Sequence, residues 1–211
     1  MRMRRKKHRE ERMEKCAEIM LQEPFPKNEL KKVFGNENPI HIEIGCGKGG
    51  FITALAEKNP DINYVAIEKN GDVLVLAMEK VVEKCLENVR FIFGDATFLK
   101  DVISEWECSR IYINFCDPWH KSGHAKRRLT HRNYLELYKR LLAPQNGEVF
   151  FKTDNKKLFE FSLNECADLN LKMRNISLDL HNSNYAENIM TEYEKLFSEQ
   201  GMPIYRMEIK F

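Results

Sequence analysis

The feature that most constrains the fold is a repeated alternation of short apolar runs with amphipathic stretches. This alternation is typical of parallel strands joined by helices that cover a sheet. The sequence predicts strands at residues 40–45, 63–68, 89–93, 109–116, 147–153, 173–180 and 203–210, and helices at residues 49–58, 71–86, 133–143, 155–168 and 185–199. We therefore expect an α/β fold with a seven-stranded, mostly parallel sheet, an antiparallel last strand and helices on both faces.

The length and composition agree with one domain over residues 1–211. The 211 residues lie close to the usual size of a domain, which is about 100–200 residues. The six cysteines include no Cys-x-x-Cys pair, so we expect reduced thiols and no metal site. No signal peptide and no apolar run of about 18 residues is present. These observations predict a soluble cytoplasmic protein, either a monomer or a homodimer.

Basic residues are concentrated at the N-terminus. The net charge is only +2, but residues 1–9 contain six arginines and lysines and no acid. We interpret residues 1 to about 12 as a basic arm outside the core, which either contacts phosphates or is disordered. Residues 10–34 are then predicted to be helical, with an interruption at Pro24 and Pro26.

A glycine-rich turn follows the first predicted strand. Gly45 and Gly47 let the backbone turn sharply and approach a ligand that a Cβ atom would block. Glu43 lies two residues before Gly45, where a nicotinamide-dependent dehydrogenase usually has an apolar residue. A carboxylate there needs a polar or cationic partner, and the ammonium and sulfonium groups of S-adenosylmethionine supply one. A dehydrogenase remains the alternative, as does an ordinary turn.

Two more carboxylates follow the next strands. Glu68 ends the second strand about 20 residues on, where an acid can accept hydrogen bonds from ribose hydroxyls. Asp95 follows the third strand, where a carboxylate can bind an adenine amino group. Glu68 is otherwise a solvated charge at a strand end, and Asp95 a structural Gly-Asp turn.

The fourth strand ends in Asp117-Pro118-Trp119. Open α/β sheets bind ligands at the carboxyl ends of their strands, so Asp117 is placed for chemistry. Trp119 offers a flat face for stacking a base or cofactor, or it fills the core. After Asp117 comes a cationic run without acids, which suits phosphate contacts or is a solvated face; it comprises Lys121, His124, Lys126, Arg127, Arg128, His131 and Arg132.

Two later segments are also candidates. Asp154 follows the fifth strand on the same sheet edge as Asp117, and it is alternatively the cap of the next helix. The Thr191–Glu194 segment is a candidate for substrate binding, or it is one face of a helix with Tyr193 inward.

The chain resembles the bacterial tRNA (guanine-N7)-methyltransferase family from about Ile40 to Phe211. The resemblance rests on motifs in order along the chain: Glu43-Ile44-Gly45-x-Gly47-x-Gly49, Glu68, Gly94-Asp95, Asn114-Phe115-x-Asp117-Pro118-Trp119-x-Lys121, His124-x-Lys126-Arg127-Arg128-Leu129-Thr130, Lys152-Thr153-Asp154-Asn155 and Thr191-x-Tyr193-Glu194. The chain departs from the family pattern at Cys116 and His120, where proline is usual, and at Ser122-Gly123, where a basic pair is usual.

The resemblance implies a Rossmann-like class I methyltransferase fold and methyl transfer from S-adenosylmethionine to N7 of guanine 46 in tRNA. Asp117 would be catalytic. The cofactor residues would be Glu43, Gly45, Gly47, Glu68, Asp95 and Asp117. The substrate residues would be Lys121, Asp154, Thr191, Glu192, Tyr193 and Glu194. The RNA contacts would be His124, Lys126, Arg127, Arg128 and Arg132.

Two other functions remain open. An amino-group methyltransferase also places an acid or amide before proline, but it usually has a second proline where this chain has Trp119. A tRNA-binding or chaperone protein that retains an inactive cofactor fold is the non-enzymatic alternative. Cofactor binding distinguishes it from an enzyme.

Overall fold

The computed structural model describes residues 8–183 and 185–211. Contacts divide the chain into two compact units, one ending at Ser104 and one spanning Glu105–Phe211. The single-domain assignment over residues 1–211 stays a prediction.

The first unit contains three parallel strands. They are β1 (Ile40–Ile44), β2 (Asn63–Glu68) and β3 (Val89–Phe93), with β2 between the other two. Every residue of β1 and β2 is buried, including the polar residues His41, Glu43, Asn63 and Glu68. The helices of this unit are α1 (Arg9–Glu14), α2 (Leu30–Phe34), α3 (Gly50–Lys58), α4 (Gly71–Glu83) and α5 (Leu99–Val102), with 3₁₀ turns at Ala17–Ile19 and Ala96–Phe98.

The N-terminal segment differs from the prediction. Helix was expected over residues 10–34 with an interruption at Pro24 and Pro26, but the interruption is longer: α1 ends at Glu14, α2 begins at Leu30, and between them the Leu21 N–H donates to the Phe91 carbonyl at 2.8 Å. This contact with β3, followed by two prolines, prevents a helix from continuing. Residues 1–7 of the predicted arm lie outside the described residues. Arg12 of the arm packs on α4 through two hydrogen bonds of 2.6 Å to Glu79.

The second unit contains four strands. They are β4 (Arg110–Asn114), β5 (Glu148–Thr153), β6 (Lys172–Ser177) and β7 (Tyr205–Lys210). Strands β4 and β5 are parallel, and β7 lies between β5 and β6, antiparallel to both. The antiparallel last strand is therefore confirmed.

Three helices complete this unit. They are α6 (Arg132–Leu141), α7 (Lys156–Asp168) and α8 (Glu192–Ser198), and a 3₁₀ helix covers Ser122–Arg127. Helix α8 is shorter than the predicted helix at 185–199, because Thr191 caps its N-terminus. Within the described residues no helix is long and apolar enough to cross a membrane.

Candidate active site

The glycine turn after β1 leaves space for a ligand. Gly45 and Gly47 have φ angles of 80° and 55°, which strain any other residue, and a Cβ atom on either would meet no atom within 4 Å. The N–H groups of Gly45 and Cys46 both donate to the Ile67 carbonyl, at 2.8 and 3.1 Å, which fixes the start of the turn.

Gly49 has a different role. Its φ is 77°, and a Cβ atom there would lie 2.6 Å from the Cβ of Ala77 on α4. Gly49 is therefore required for the close packing of α3 against α4, and the two earlier glycines are the ones that face open space.

Glu68 is a fixed acceptor rather than a solvated charge. It is 9% exposed, and its Oε2 accepts the Gly47 N–H at 3.0 Å while Oε1 accepts the Asn70 N–H at 2.8 Å. The carboxylate thereby ties the end of β2 to the glycine turn. A carboxylate oxygen can accept two hydrogen bonds, so Glu68 can still accept hydrogen bonds from ribose hydroxyls.

The other two carboxylates of this unit differ in exposure. Glu43 is 2% exposed inside β1, where an ionised carboxylate is costly unless a cation or hydrogen-bond donors accompany it. Asp95 is exposed and caps a 3₁₀ turn: its Oδ1 accepts the N–H and hydroxyl of Thr97 at 2.9 and 2.5 Å. The Thr97 hydroxyl is the main cause that lowers the Asp95 pKa.

This donor and acceptor set fits S-adenosylmethionine. Open glycines admit a flat ligand beside the backbone, and the carboxylates of Glu43, Glu68 and Asp95 suit the amino and hydroxyl donors of an aminoacyl nucleoside. Asp95 has a structural role as well, as one of the sequence alternatives predicted.

In the second unit, Asp117 lies exposed on a loop that follows β4. Phe115 and Trp119 on either side of it have φ angles of 52° and 44°. A left-handed conformation costs a residue with a side chain about 1–2 kcal/mol, so the surrounding structure must hold both residues. Strained residues of this kind cluster at functional sites, which supports a role for this loop.

Several contacts hold the loop. The Phe115 N–H donates to the Lys152 carbonyl at 2.9 Å. The Arg128 guanidinium donates to the carbonyls of Pro118 and Trp119 at 3.1 and 3.0 Å. Trp119 is half-buried and does not fill the core, and the Arg127 guanidinium lies 3.8 Å from its ring centroid.

Asp117 and Asp154 follow neighbouring strands. Burial, and to a smaller extent the charges of Asp117 and Asp154, raise the pKa of the Cys116 thiol to about 12. Asp117 follows β4 and Asp154 follows β5, and these two strands are parallel neighbours, so both acids lie at the same edge of the sheet, as the sequence predicted. Asp154 does not cap α7; that cap is Asn155, whose Oδ1 accepts the Leu158 N–H at 2.9 Å.

The cationic run is less uniform than its sequence suggested. Lys121, Lys126 and Arg127 are exposed, whereas Arg128 donates to backbone carbonyls. Arg132 pairs with Glu165 and Asp168 of α7 at 2.7 and 2.9 Å. His124 packs edge-on against Trp119, with ring centroids 5.8 Å apart. The RNA contacts of these residues stay predictions, but Arg132 is already neutralised by acids distant in sequence.

The Thr191–Glu194 segment forms a capping box. The Thr191 hydroxyl accepts the Glu194 N–H at 2.9 Å, and the Glu194 carboxylate accepts the Thr191 N–H at 3.3 Å. Tyr193 is 59% exposed, so the alternative with Tyr193 inward is wrong. Its ring stacks on Phe115, with centroids 6.3 Å apart. Tyr193 thus presents an aromatic face beside the Asp117 loop, and Glu192 is exposed.

Sequence reasoning missed Lys152. Its ammonium donates to Glu194 Oε2 at 2.6 Å, Asn188 Oδ1 at 3.1 Å and the Ile189 carbonyl at 3.0 Å. The Lys152 and Glu194 side chains are 7% and 0% exposed. This pair fixes the Thr191–Glu194 segment to β5, so Glu194 holds in place the segment that carries the exposed Tyr193. The available signals were its place in the motif Lys152-Thr153-Asp154-Asn155 and a lysine within an apolar strand.

Comparisons with known proteins identify the family of the chain. A family model described as a putative methyltransferase matches residues 37–207. A tRNA (guanine-N(7)-)-methyltransferase of Clostridioides difficile is 51% identical over 212 residues, covering 100% of this chain and 99% of the relative. A Listeria monocytogenes serovar 1/2a protein of the same name is 49% identical, with the same coverage. The chain belongs to the tRNA (guanine-N7)-methyltransferase family.

Solved structures of other methyltransferases share the fold at low identity. A 16S rRNA methyltransferase has a TM-score of 0.64 at 12% identity and covers 89% of this chain and 93% of its own. An antibiotic-related methyltransferase has a TM-score of 0.63 at 19% identity, with coverages of 86% and 92%. Together with the seven strands, these similarities confirm the Rossmann-like class I methyltransferase fold.

The positions at which the chain departs from the family pattern differ in burial. Cys116 stands where the tRNA (guanine-N7)-methyltransferase pattern usually has proline, and it is half-buried. The loop is anchored just before it, where the Phe115 N–H donates to the Lys152 carbonyl. His120, Ser122 and Gly123 are exposed, so these departures change the surface of the loop rather than its support.

Proposed function

We propose that the protein transfers a methyl group from S-adenosylmethionine to N7 of a guanine in tRNA, and that the target is guanine 46 of the variable loop. The observation that carries the proposal is the exposed Asp117 carboxylate on a strained loop at the end of β4. The names of the full-length relatives support the reaction class. The target position rests on the family resemblance alone.

The cofactor residues of the proposal are Glu43, Gly45, Gly47, Glu68, Asp95 and Asp117. S-adenosylmethionine, when bound, supplies an electrophilic methyl group on a sulfonium. Gly45 and Gly47 leave the backbone open to it, and Glu68 is already oriented by two backbone N–H groups. Glu43 supplies a negative charge that favours the cationic end of the ligand.

Asp117 orients the base. Its carboxylate accepts hydrogen bonds from the guanine N1 and N2 donors, which adenine does not offer in that arrangement. Guanine N7 carries a free lone pair, so no residue has to remove a proton before the bond forms. The Asp117 charge also favours the cation that develops on the methylated ring. Catalysis then depends mainly on positioning, which supplies up to roughly 7–11 kcal/mol in well-oriented reactions.

The remaining residues divide between the base and the phosphates. Lys121 and Asp154 line the side of the base, and Tyr193 provides a face on which it stacks. The exposed cations Lys126 and Arg127 contact tRNA phosphates, together with His124.

The test is a methyl-transfer assay on two transcripts. The purified protein is incubated with methyl-labelled S-adenosylmethionine and either an unmodified tRNA or the same tRNA with guanine 46 replaced, and the label is mapped. We expect label at N7 of guanine 46 only. Label that survives the replacement would reject the position but keep the enzyme. Label on an exocyclic nitrogen would support an amino-group methyltransferase.

Variants of Asp117 test the catalytic assignment. Asp117→Ala is expected to abolish labelling while cofactor binding persists. Asp117→Asn keeps an acceptor but loses the charge, so full activity in this variant would disprove the electrostatic role. Asp61→Asn, which changes an exposed acid in a turn of the first unit, is the matched control and should label normally. Cofactor and tRNA binding without any label in the unchanged protein would favour the non-catalytic alternative.

A further inference from the structure

The side chain of Arg128 is turned toward its own chain. Its Nε donates to the Pro118 carbonyl at 3.1 Å and one Nη donates to the Trp119 carbonyl at 3.0 Å. The guanidinium also lies over the Phe161 ring of α7, 4.4 Å from the centroid. Arg128 is half-buried and its guanidinium has protein partners on its edge and on its face.

Hydrogen bonds hold the loop on both sides of Asp117. The two bonds from Arg128 fix the carbonyls of Pro118 and Trp119, the two residues after Asp117. Before Asp117, the Phe115 N–H donates to the Lys152 carbonyl at 2.9 Å. With the backbone held on both sides, the position of the Asp117 carboxylate is restricted.

The neighbouring cations have different surroundings. Lys126 is exposed, and Arg127 is exposed with its guanidinium 3.8 Å from the Trp119 ring centroid. The backbone of Arg128 is extended, with φ −68° and ψ 131°, at the end of the 3₁₀ helix. Arg127 is the last residue of that helix, so the two neighbouring side chains leave backbone of different conformation and have different surroundings.

We propose that Arg128 is a positioning residue for the Asp117 loop and not a tRNA phosphate contact. The inference rests on the proposed methyl transfer and specifies how the reacting carboxylate is held. Trp119 is in a left-handed conformation that a residue with a side chain adopts only when other contacts impose it. Without the two hydrogen bonds from Arg128, the loop relaxes and Asp117 moves away from its working position.

Arginine is suited to this role because its donors form a rigid fork. Nε and one Nη reach two consecutive carbonyls at once, whereas a lysine ammonium is a compact charge without this planar geometry. Arg128→Lys is therefore expected to recover only part of what Arg128→Ala loses.

The kinetic test compares Arg128→Ala with Lys126→Ala. A displacement of about 1 Å can cost up to about 100-fold in rate, so Arg128→Ala should lower kcat about 10- to 100-fold with KM for tRNA within about twofold. Its salt dependence of tRNA binding should match that of the unchanged protein. Lys126→Ala should instead weaken tRNA binding and reduce the salt slope by about one. A raised KM and a reduced salt slope in Arg128→Ala, with kcat retained, would overturn the proposal.

A second measurement does not depend on activity. In a Trp106→Phe background, Trp119 is the remaining tryptophan and reports on the loop. Adding Arg128→Ala should shift its emission to the red and increase acrylamide quenching, while Lys126→Ala should leave both unchanged. Unaltered Trp119 fluorescence in the Arg128 variant would overturn the proposal. Should Arg128→Ala fail to fold, Arg128→Lys carries both tests.

The failure of this inference is distinguishable from the failure of the proposed function. The unchanged protein is assayed beside every variant. No methylation by the unchanged protein would reject the enzyme, and the fluorescence would still decide whether Arg128 holds the loop.

Discussion

Removal of one charge from the buried Lys152–Glu194 pair is expected to destabilise the protein strongly. Both side chains are almost inaccessible, at 7% and 0%, and the ammonium and carboxylate are 2.6 Å apart. The three hydrogen bonds of the ammonium go to Glu194, Asn188 and Ile189. Lys152→Met leaves a buried carboxylate with the Asn188 amide, the Thr191 N–H and His181, whose Nε2 lies 3.3 Å from Oε1. Glu194→Met leaves a buried ammonium beside the neutral oxygens of Asn188 and Ile189.

The expected size follows from this burial. Removal of one partner of a buried ion pair costs about 3–5 kcal/mol, because the remaining charge keeps its desolvation penalty. In a chain of this size each kcal/mol shifts Tm by about 2–4 °C, so either single variant should melt about 6–20 °C lower. The double Lys152→Met, Glu194→Met variant has no uncompensated charge. We expect it to lose at least about 2 kcal/mol less than the sum of the two single variants.

The assay is urea unfolding followed by circular dichroism, with thermal melts in parallel. The control is the exposed Lys84–Glu57 pair, whose side chains are 45% and 44% accessible at a separation of 2.5 Å. Lys84→Met should change the free energy of unfolding by less than about 1 kcal/mol. The reasoning would be refuted by a Lys152→Met variant within about 1 kcal/mol of the unchanged protein, or by additive losses in the double variant.

Three further changes are expected to have measurable effects. Gly49→Ala should lower the free energy of unfolding in urea by about 2–4 kcal/mol, because it adds backbone strain and a close contact with α4. Gly201 has a similar φ of 70° but open space around it, so Gly201→Ala should be destabilised by the backbone strain alone. The hydrogen bond from Arg132 is the main cause that lowers the pKa of Glu165 in the folded protein. Arg132→Ala should therefore lower the free energy of unfolding by its full amount above the carboxyl pKa of the unfolded chain, and by progressively less as pH falls through the lower pKa of the folded protein. A loss of the same size at acid pH would contradict this. Iodoacetamide followed by peptide mass spectrometry should label the exposed Cys85 first among the cysteines, and faster labelling of a buried cysteine would contradict the described burial.

The order of strands and helices could be predicted because each element has its own pattern in the sequence. Strand β1 has isoleucine at every second position and β2 contains the apolar run Tyr64–Ile67, so both strands are visible in the sequence. The N-terminal helix could not be predicted correctly, since the Leu21 N–H bonds to the distant Phe91 carbonyl and ends the helical pattern. Helix propensity contains no information about such a partner.

The candidate site was predictable in position but not in the partners of its residues. Asp117 at a strand end and glycines after β1 follow from local sequence. The acids that pair with Arg132, however, lie on α7, and the acid that pairs with Lys152 lies 42 residues along the chain. A run of positively charged residues in the sequence therefore does not establish a positively charged surface.

A motif that marks a family contains residues with two kinds of task, and burial separates them. Arg127 and Arg128 are adjacent in one motif, yet the first is exposed and the second has its donors on backbone carbonyls. In the last motif Tyr193 is exposed, whereas Glu194 is fully buried against a lysine. Exposed members are available to a ligand, and buried members determine where the exposed ones lie. The geometry of the site therefore depends as much on Arg128 and Glu194 as on the residues that meet the substrate.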